Sequence, residues 1–272
     1  MKKKSIIALT LILVLVLTLL AGCGTGGNDA GPLVVGATAV PHSEILEFIQ
    51  DKMSEEGVEL TIRVFTDFVQ PNLATESGEL DANYFQHRPY MENFNNANDT
   101  NIVPVFGVHF EPLGLYKARA QSLDELGEGS IIAIPNDPTN GARALNLLEA
   151  TGLIRLQAGA GVMATVMDIV DNPLNLDIRE LEAAQLPHIL PDVDMAIING
   201  NFALQAGLEM GRDSVAAEDK DSISAITYTN YIAVKAGNED DERVATLVRV
   251  INSAEVRDFI NTRYEGRVVP MF

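Results

Sequence analysis

The sequence predicts an α/β fold in which mixed, mostly parallel strands are flanked by helices. Short apolar, β-branched runs alternate with amphipathic segments along the chain, and alternation at this spacing is typical of a sheet covered by helices. A hydrophobic content of 47% supports a well-filled core. The part from about Leu33 to Phe272 is long enough for one large domain or two lobes.

The first elements are predicted to be a strand, a helix and a strand. The run "PLVVGATAV" (32–40) is apolar and ends in a polar segment, as a buried strand does. Residues 41–57 then place apolar side chains at helical spacing, with Ser43 as the expected N-cap and Gly57 at the C-terminal end. The following "VELTIRVF" (58–65) alternates like a strand.

The alternation continues to the C-terminus. Further strands are predicted in these segments: "GELDANYF", "NIVPVFGVHFEPLGLY" (two strands), "SIIAIP", "LDIRELEA", "DMAIING" and "ISAITYTNYIAVKAG". Helices are predicted in these segments: "SLDELGEG", "TNGARALNLLEATGLI", "MATVMDIVDNP", "NFALQAGL" and "DERVATLVRVINSAEVRDFINTRY". The last is expected to be one long terminal helix, with acids at its start and arginines near its end, as the helix dipole favours.

The N-terminus indicates an exported lipoprotein. Lys2 to Lys4 precede a continuous apolar run, and small residues lead to Cys23, the single cysteine. We predict a lipoprotein signal peptide at residues 1–22 and a lipidated, Gly-rich tether at residues 23–32. Leu20 to Cys23 resemble the bacterial lipobox, which implies a diacylglyceryl group on Cys23 and a place on the extracytoplasmic face of the membrane. The alternative is an uncleaved transmembrane helix, although the run is short for a span of about 20 residues.

The charge of the chain excludes several partners. The formal charge is −19, and removal of the three leader lysines leaves 16 basic against 38 acidic residues, or −22. Nucleic acid binding depends on basic patches that neutralise phosphates, so nucleic acid is not an expected partner. Peripheral adhesion to anionic lipid is disfavoured for the same reason, which leaves the lipid anchor as the membrane contact.

Polar and aromatic residues cluster at the ends of predicted strands. They are Phe68, Tyr84 to Tyr90, Asn136 to Arg143, and Asn199. Open α/β sheets bind ligands at the carboxyl ends of their strands. We therefore expect these four segments to face one crevice.

Arg143 is predicted to hold an anion. It is expected in the first turn of a helix, where the dipole opposes a cation unless an anion is present. A guanidinium offers a planar fork that fits a carboxylate. The alternative is an ordinary surface arginine.

Aromatic side chains are predicted to form the apolar half of the same site. Phe85, His87 and Tyr90, with Phe68 from the neighbouring strand end, could form a slot about one side chain wide. Aromatic rings attract thioether sulfur, so such a slot suits a sulfur-containing chain. His87 alone would more often be a structural histidine.

Two asparagines complete the predicted site. Asn199 and Asn230 end or interrupt apolar strands in "AIINGN" and "TYTNYIAV". Their amides could hydrogen-bond an α-amino or α-carboxyl group. The alternative is that both are turn formers.

Catalytic and metal motifs are absent from the sequence. It has no G-x-S-x-G elbow, no H-E-x-x-H and no phosphate-binding glycine loop with lysine, so we predict no enzyme activity and no cofactor. The histidines are too scattered to show ligand spacing, although they could converge with acidic residues in space: His42, His87, His109 and His188. No metal site is predicted.

Five long segments carry a resemblance to a known family. They are "FTDFVQPN" (65–72), "LDANYFQHRPY" (80–90), "IAIPNDPTNGARAL" (132–145), "ELEAAQLP" (180–187) and "AIINGNFALQAGL" (196–208). The chain resembles the methionine-binding lipoproteins of the NlpA family, which are receptors of ABC importers. The resemblance implies a two-lobe, type II-like periplasmic-binding-protein fold. It also implies L-methionine or a close analogue as ligand, and an ABC permease with its ATPase as partners.

The resemblance also implies a role for each predicted site residue. Arg143 should pair with the ligand carboxylate, and Asn199 and Asn230 should bind the amino-acid head. The thioether chain should lie among Phe85, His87 and Tyr90. The sequence departs from the family at Phe68 and Phe202, where tyrosine is common. The loss of a hydroxyl at Phe68 leaves open an altered ligand, such as a methionine analogue or a methionine-containing dipeptide. A metal ion is a further alternative, and the lack of a clustered histidine motif argues against it.

The family pattern implies two chain crossings between the lobes. We predict lobe 1 at residues 33–115 and 227–272, and lobe 2 at residues 116–226. Hinges are expected near "EPLGLY" and "SAITYT". Ligand contacts from both lobes would favour a closed state that docks on the permease.

Overall fold

The chain forms two mixed β-sheets with helices packed against them, which confirms the predicted two-lobe α/β fold. The computed structural model describes residues 31–272. Within that range no helix is long and apolar enough to cross a bilayer. The predicted signal peptide, Cys23 and most of the predicted tether lie outside the described residues.

The first sheet contains six strands. In spatial order they are β13 (Val269–Pro270), β4 (Ile102–Phe110), β12 (Thr229–Lys235), β3 (Ala82–His87), β1 (Leu33–Thr38) and β2 (Leu60–Phe65). Gly36 in β1 allows a close approach, because a Cβ there would lie 2.4 Å from Leu80 Cδ1. A larger residue at this position would force the neighbouring side chain to move.

The second sheet contains five strands. In spatial order they are β11 (Ser214–Ala217), β5 (Gly114–Lys117), β10 (Met195–Ile198), β6 (Ile131–Pro135) and β9 (Asp177–Leu181). A separate two-stranded ribbon pairs β7 (Arg155–Leu156) with β8 (Ile169–Asp171).

Strand directions in the two large sheets are less parallel than predicted. The parallel pairs are β1–β2, β1–β3, β6–β9 and β6–β10. The five other pairings, which involve β12 or β5 or join β13 to β4, are antiparallel. The alternation of strands and helices did not reveal this, because β4 is followed by β5 with no helix between them.

Nine α-helices lie between the strands of residues 31–272. They are α1 (Glu44–Phe48), α2 (Gln50–Glu55), α3 (Gln70–Ser77), α4 (Arg88–Asn98), α5 (Pro138–Ala150), α6 (Gly200–Gln205), α7 (Ile223–Thr227), α8 (Glu242–Ile251) and α9 (Ala254–Tyr264). Apolar side chains of α1, α2, α8 and α9 form one core with the first sheet. Those of α5 form a second core with β5, β6 and β10.

The chain passes between the sheets twice. Residues 111–113 connect β4 to β5, and residues 218–228, which include α7, connect β11 to β12. The predicted lobe limits at 115/116 and 226/227 lie close to these crossings. The limits and the hinges themselves stay predictions.

Four local predictions were wrong. The helix predicted at residues 122–129 forms only a 3₁₀ turn at Leu123–Glu125. Residues 163–173 form short 3₁₀ turns and β8 instead of a helix. The terminal helix is broken after Ile251, because the Ser253 hydroxyl accepts a hydrogen bond from the Val256 N–H and starts α9 anew. Ser43 has helical backbone angles, and its hydroxyl donates to Glu47 instead of capping a helix. Apolar periodicity does not distinguish a continuous helix from two helices that share one buried face.

Candidate ligand-binding site

A cavity lies where the carboxyl end of β3 meets the amino ends of α5 and α6. About 340 Å³ of space not filled by atoms, open solvent included, lies between its lining residues. All seven predicted binding residues line it: Phe68, Phe85, His87, Tyr90, Arg143, Asn199 and Asn230. The structure therefore brings these residues together, and their contact with a ligand stays a prediction.

One side of the cavity is an aromatic wall, formed by Phe68, Phe85 and Tyr90. Their ring centroids are 5.8 to 6.1 Å apart. The Tyr90 hydroxyl donates to the Phe68 carbonyl oxygen at 3.0 Å, and burial raises the pKa of Tyr90, so the hydroxyl stays protonated. Phe202, the second departure from the family pattern, lies 4.9 Å from Phe68 between ring centroids. The wall is therefore held by its own contacts.

The opposite side is an amide wall, formed by Asn140, Asn199 and Asn201. Asn199 Nδ2 donates to Asn140 Oδ1 at 2.9 Å, and Asn140 Nδ2 donates to the Asp137 carboxylate. Two buried atoms of this wall, Asn199 Oδ1 and Asn201 Nδ2, have no hydrogen-bond partner among residues 31–272. A buried polar atom without a partner costs about 1–3 kcal/mol. One acceptor and one donor thus stay available to a polar ligand.

His87 lies between the two walls, at the N-cap of α4. Its Nδ1 accepts from the Tyr90 N–H at 3.2 Å, so the proton of the neutral ring is on Nε2, which donates to Asn140 Oδ1 at 3.2 Å. Burial, and then the nearby Arg143 charge, lower the pKa of His87 to about 3. The ring is therefore neutral at physiological pH and presents an apolar face to the cavity.

Arg143 was predicted to hold an anion, and its acidic partner in the structure is a side chain of the protein, Glu218. Its Nε donates to Glu218 at 2.7 Å, and its Nη2 donates to Glu218 and, at 2.7 Å, to the Glu111 carbonyl oxygen. The guanidinium also lies over the Tyr228 ring, 4.4 Å from the centroid. No hydrogen bond from Nη1 to an acceptor is found among residues 31–272. We therefore expect a ligand carboxylate to bind at this edge of the guanidinium.

The predicted helical position of Arg143 was wrong. The helix begins at Pro138, after the Asp137 N-cap, which places Arg143 in its second turn. The dipole effect acts mainly on the first turn and does not explain the need for an anion. Burial does, because an arginine that is 4% exposed needs a paired charge, and Glu218 supplies it.

A buried hydrogen-bond network lies behind the cavity, and Asn230 connects the two. Asn230 lies in β12, where its register places it beside His87 on one side and His109 on the other. Its Oδ1 accepts from His42 Nε2 at 3.0 Å. Glu111 Oε1 lies 2.8 Å from His109 Nε2 and 3.3 Å from His42 Nε2. Two of the four scattered histidines do converge with an acid in space.

Burial controls ionisation in this network. It lowers the pKa of His42 to about 4 and that of His109 to about 3, and it raises the pKa of Glu111. Both histidines are therefore neutral at physiological pH. With Nε2 protonated, His109 donates to Glu111 and His42 donates to Asn230 Oδ1, while the Nδ1 of each ring accepts from a hydroxyl group.

Five lining residues were not selected from the sequence. They are Gln86, Glu111, Asn140, Gly200 and Asn201. Asn140 lies within the strand-end segment 136–143, and Asn201 lies two residues after Asn199, which was also assigned to a strand end. Selecting more residues at these two strand ends would have included both. Glu111 showed no sequence signal, because its position depends on how β4 leaves the first sheet.

Comparisons with known proteins agree with this architecture. The sequence model of the family described as NlpA lipoprotein matches residues 33–272. The membrane lipoprotein TpN32 of Treponema pallidum is 42% identical, over 85% of each chain. The D-methionine-binding lipoprotein MetQ of Salmonella typhimurium is 40% identical, over 92% of each chain.

A solved structure matches equally well. It is a nutrient-binding protein from Burkholderia cenocepacia bound to methionine, with a TM-score of 0.84 and 43% sequence identity. The match covers 88% of the present chain and 100% of the other. The shared fold therefore extends over nearly all of the described residues.

Proposed function

Because the chain belongs to the NlpA lipoprotein family, we propose that it binds methionine in the cavity and delivers it to an ABC importer. It acts as an extracytoplasmic substrate-binding protein held at the membrane by a lipid. The relatives named for D-methionine binding and the neighbour solved with methionine support this ligand.

The amide wall is the observation that carries the proposal. Asn199 Oδ1 and Asn201 Nδ2 are a buried acceptor and a buried donor that lack partners among the described residues, and both residues line the cavity. An α-amino acid carries an ammonium donor and a carboxylate acceptor on one carbon. Binding it would satisfy both atoms and remove their desolvation cost.

Three polar groups of the site, on Arg143, Asn199 and Asn201, would bind the amino-acid head of the ligand. Its carboxylate accepts from Arg143 Nη1 and Asn201 Nδ2, and its ammonium donates to Asn199 Oδ1. Charged hydrogen bonds in a buried site are about twice as strong as neutral ones. Asn230 also lines the cavity, and its amide adds a further polar group for the amino-acid head.

The aromatic wall and the neutral ring of His87 take the thioether chain. Sulfur–aromatic contacts contribute about 0.3–1.5 kcal/mol each, in addition to the burial of apolar surface. The ring of Phe68 keeps this contact but offers no hydroxyl group. A methionine analogue or a methionine-containing dipeptide is therefore the second candidate ligand, favoured by this one position.

The two chain crossings suit a receptor that closes on its ligand. The first sheet supplies His87 and Asn230 to the cavity, whereas α5 and α6, which follow strands of the second sheet, supply Arg143 and Asn201. A ligand that contacts both groups stabilises the closed state over the open one. Lobe 1 (33–115 and 227–272) and lobe 2 (116–226) move about hinges at the crossings, and the loaded form docks on the permease and its ATPase.

Cys23 provides the anchor in this proposal. Its lipidated thiol follows a signal peptide at residues 1–22 and connects to the folded part through the tether. Binding is noncovalent, and the protein performs no chemistry on the solute. Replacement of Cys23 by serine should release the protein from the membrane fraction, as measured by fractionation and by incorporation of labelled palmitate.

The test is titration calorimetry on the full chain in detergent, unfolded and refolded to remove carried-over ligand. L-methionine, D-methionine, Gly-Met and other amino acids are titrated separately. We expect one tight site for methionine, lost when Arg143 and Glu218 are replaced together by uncharged residues. Comparison of the two enantiomers shows which one the cavity prefers.

Other outcomes would change the proposal in different ways. A response to Gly-Met alone would keep the receptor role and replace the ligand. Silence toward every solute in a refolded chain with a cooperative melting transition would overturn the receptor role. Release of a chemically altered product from labelled solute would show that the protein is an enzyme.

A further inference from the structure

Three side chains behind the cavity have the composition of a metal site. His42, His109 and Glu111 are buried, and each offers one ligand atom, all within 4.8 Å of one another. Zinc binds histidine nitrogen and carboxylate oxygen at about 2.0–2.2 Å, in sets such as two histidines and one glutamate. Ligand atoms spaced 2.8 to 3.3 Å from the shared carboxylate oxygen therefore need only small shifts to surround one ion.

The groups around His42 and His109 provide a second, independent observation in favour of a metal site. His42 Nδ1 lies 2.7 Å from the Thr38 hydroxyl, and His109 Nδ1 is hydrogen-bonded to the Tyr84 hydroxyl. Both rings are thus fixed with Nε2 directed at Glu111. Metal-binding histidines are held in this way, because a partner on the second nitrogen sets the tautomer and the ring orientation. A hydroxyl can also turn from donor to acceptor when Nε2 exchanges its proton for a metal.

A fourth donor atom is already in place. Asn230 Oδ1 lies 3.0 Å from His42 Nε2, on the side that faces the cavity. Two imidazole nitrogens and two oxygens make a set that suits zinc and, with it, cobalt or nickel. Calcium and magnesium prefer oxygen ligands alone and are excluded by this chemistry.

We propose that His42, His109 and Glu111, with Asn230 as fourth ligand, bind one zinc-class divalent ion beside the solute cavity. The ion is distinct from the transported solute, because two of its ligands, His42 and His109, are not among the residues that line the cavity. It would fix Glu111 and Asn230, two residues that line the cavity, in one position. The site does not depend on methionine as the solute, so the two proposals can fail separately.

The test is zinc titration of the full chain, without a histidine tag and without methionine, in competition with a chromophoric chelator. We expect one zinc per chain with a dissociation constant below about 1 μM. Cobalt should replace zinc and give the visible absorption of a four-coordinate nitrogen–oxygen site. Absence of binding to the refolded wild-type chain would overturn the proposal.

Matched variants locate the ion. His109→Gln or Glu111→Gln should weaken zinc binding at least tenfold, and Thr38→Val, which removes only a supporting hydroxyl, should weaken it about 10- to 100-fold. His188→Gln, at an exposed histidine outside the cluster, should leave zinc binding unchanged. Equal affinity in wild type and Thr38→Val, or a loss in His188→Gln, would place the ion elsewhere and overturn the site. Thr38→Val keeps the test valid if the ligand variants do not fold.

Discussion

The aromatic wall and the amide wall face the same cavity but are stabilised differently. The aromatic wall holds itself through ring contacts and the hydrogen bond from Tyr90 to the Phe68 carbonyl oxygen. The amide wall contains two buried atoms without partners among residues 31–272. One wall therefore contributes to folding through its own contacts, whereas the other keeps an unpaired acceptor and an unpaired donor, which we propose that the ligand satisfies.

A large loss of stability is expected when the aromatic wall is truncated. Phe85 is 4% exposed and packs against Tyr90 and Phe94, so Phe85→Ala should lower the free energy of unfolding by about 3–5 kcal/mol. Urea unfolding in the absence of methionine measures this directly. An unchanged unfolding midpoint would mean that the wall is not a packed part of the core.

Arg143 should give the largest effect on binding. Replacing it alone would leave Glu218 buried without its partner, so the variant to use is Arg143→Met with Glu218→Gln. We expect methionine affinity to fall about 100- to 1000-fold, because a charged hydrogen bond to the ligand is lost and its carboxylate is left unpaired. Glu218→Gln alone is the control. Calorimetry that gives the same affinity for both variants would exclude Arg143 from the site.

Asn201 offers the sharpest contrast with the aromatic wall. Its Nδ2 is a buried donor with no partner in the described part of the chain, so Asn201→Ala removes an unpaired group and should lower the free energy of unfolding far less than Phe85→Ala does. The same change should weaken methionine binding about 10- to 100-fold, because a donor to the ligand carboxylate is removed. A stability loss without an affinity loss would reverse the roles assigned to the two walls.

His87, between the walls, should make stability depend on pH. Its pKa is about 3 in the folded chain and near 6.5 when unfolded, so only the unfolded state binds the proton between those values. This contribution is complete above pH 6.5 and is lost as the pH falls toward 3, by at most about 1.4 kcal/mol per pH unit. Urea unfolding of wild type and His87→Asn from pH 7 to 4.5 should show the difference between them shrinking with acid. Parallel curves would show that His87 is accessible to protons.

Phe68→Tyr should have the smallest effect. It adds the hydroxyl that the resemblance to the family implies at this position, and thus one hydrogen-bonding group at the end of the aromatic wall. We expect methionine to bind about two- to tenfold more tightly, with little change in stability. If the affinity for Gly-Met rises instead, the hydroxyl at this position selects between the two solutes.

Much of the site could be predicted because it lies at the ends of strands. The carboxyl ends of strands meet at one edge of a sheet, so Phe68 after β2 and His87 at the end of β3 were expected near each other and do line one cavity. Asn199 follows β10 of the second sheet and lines the same cavity. The sequence indicated the residue types but not their partners. Glu218 pairs with Arg143 from 75 positions away, and no local pattern indicates such a contact.

The fold was predictable to a similar extent and for a related reason. Buried strands such as β1, β6 and β10 stand out as short apolar runs between turn formers. The direction of β12 does not, because it is set where the chain returns to the first sheet and pairs with β3 and β4. The same pairing brings His42 and His109 together, which is why their separation in sequence concealed the cluster.

The placement of the tyrosines allows ligand binding to be followed by the intrinsic fluorescence of the protein. The chain contains six tyrosines and no tryptophan, so its near-ultraviolet emission comes from tyrosine alone. Tyr90 lines the cavity, and Tyr228 stacks under the Arg143 guanidinium. A solute that binds beside Tyr90 and pairs with Arg143 is expected to change the surroundings of both Tyr90 and Tyr228. Occupancy can therefore be followed on the unmodified chain without any attached dye.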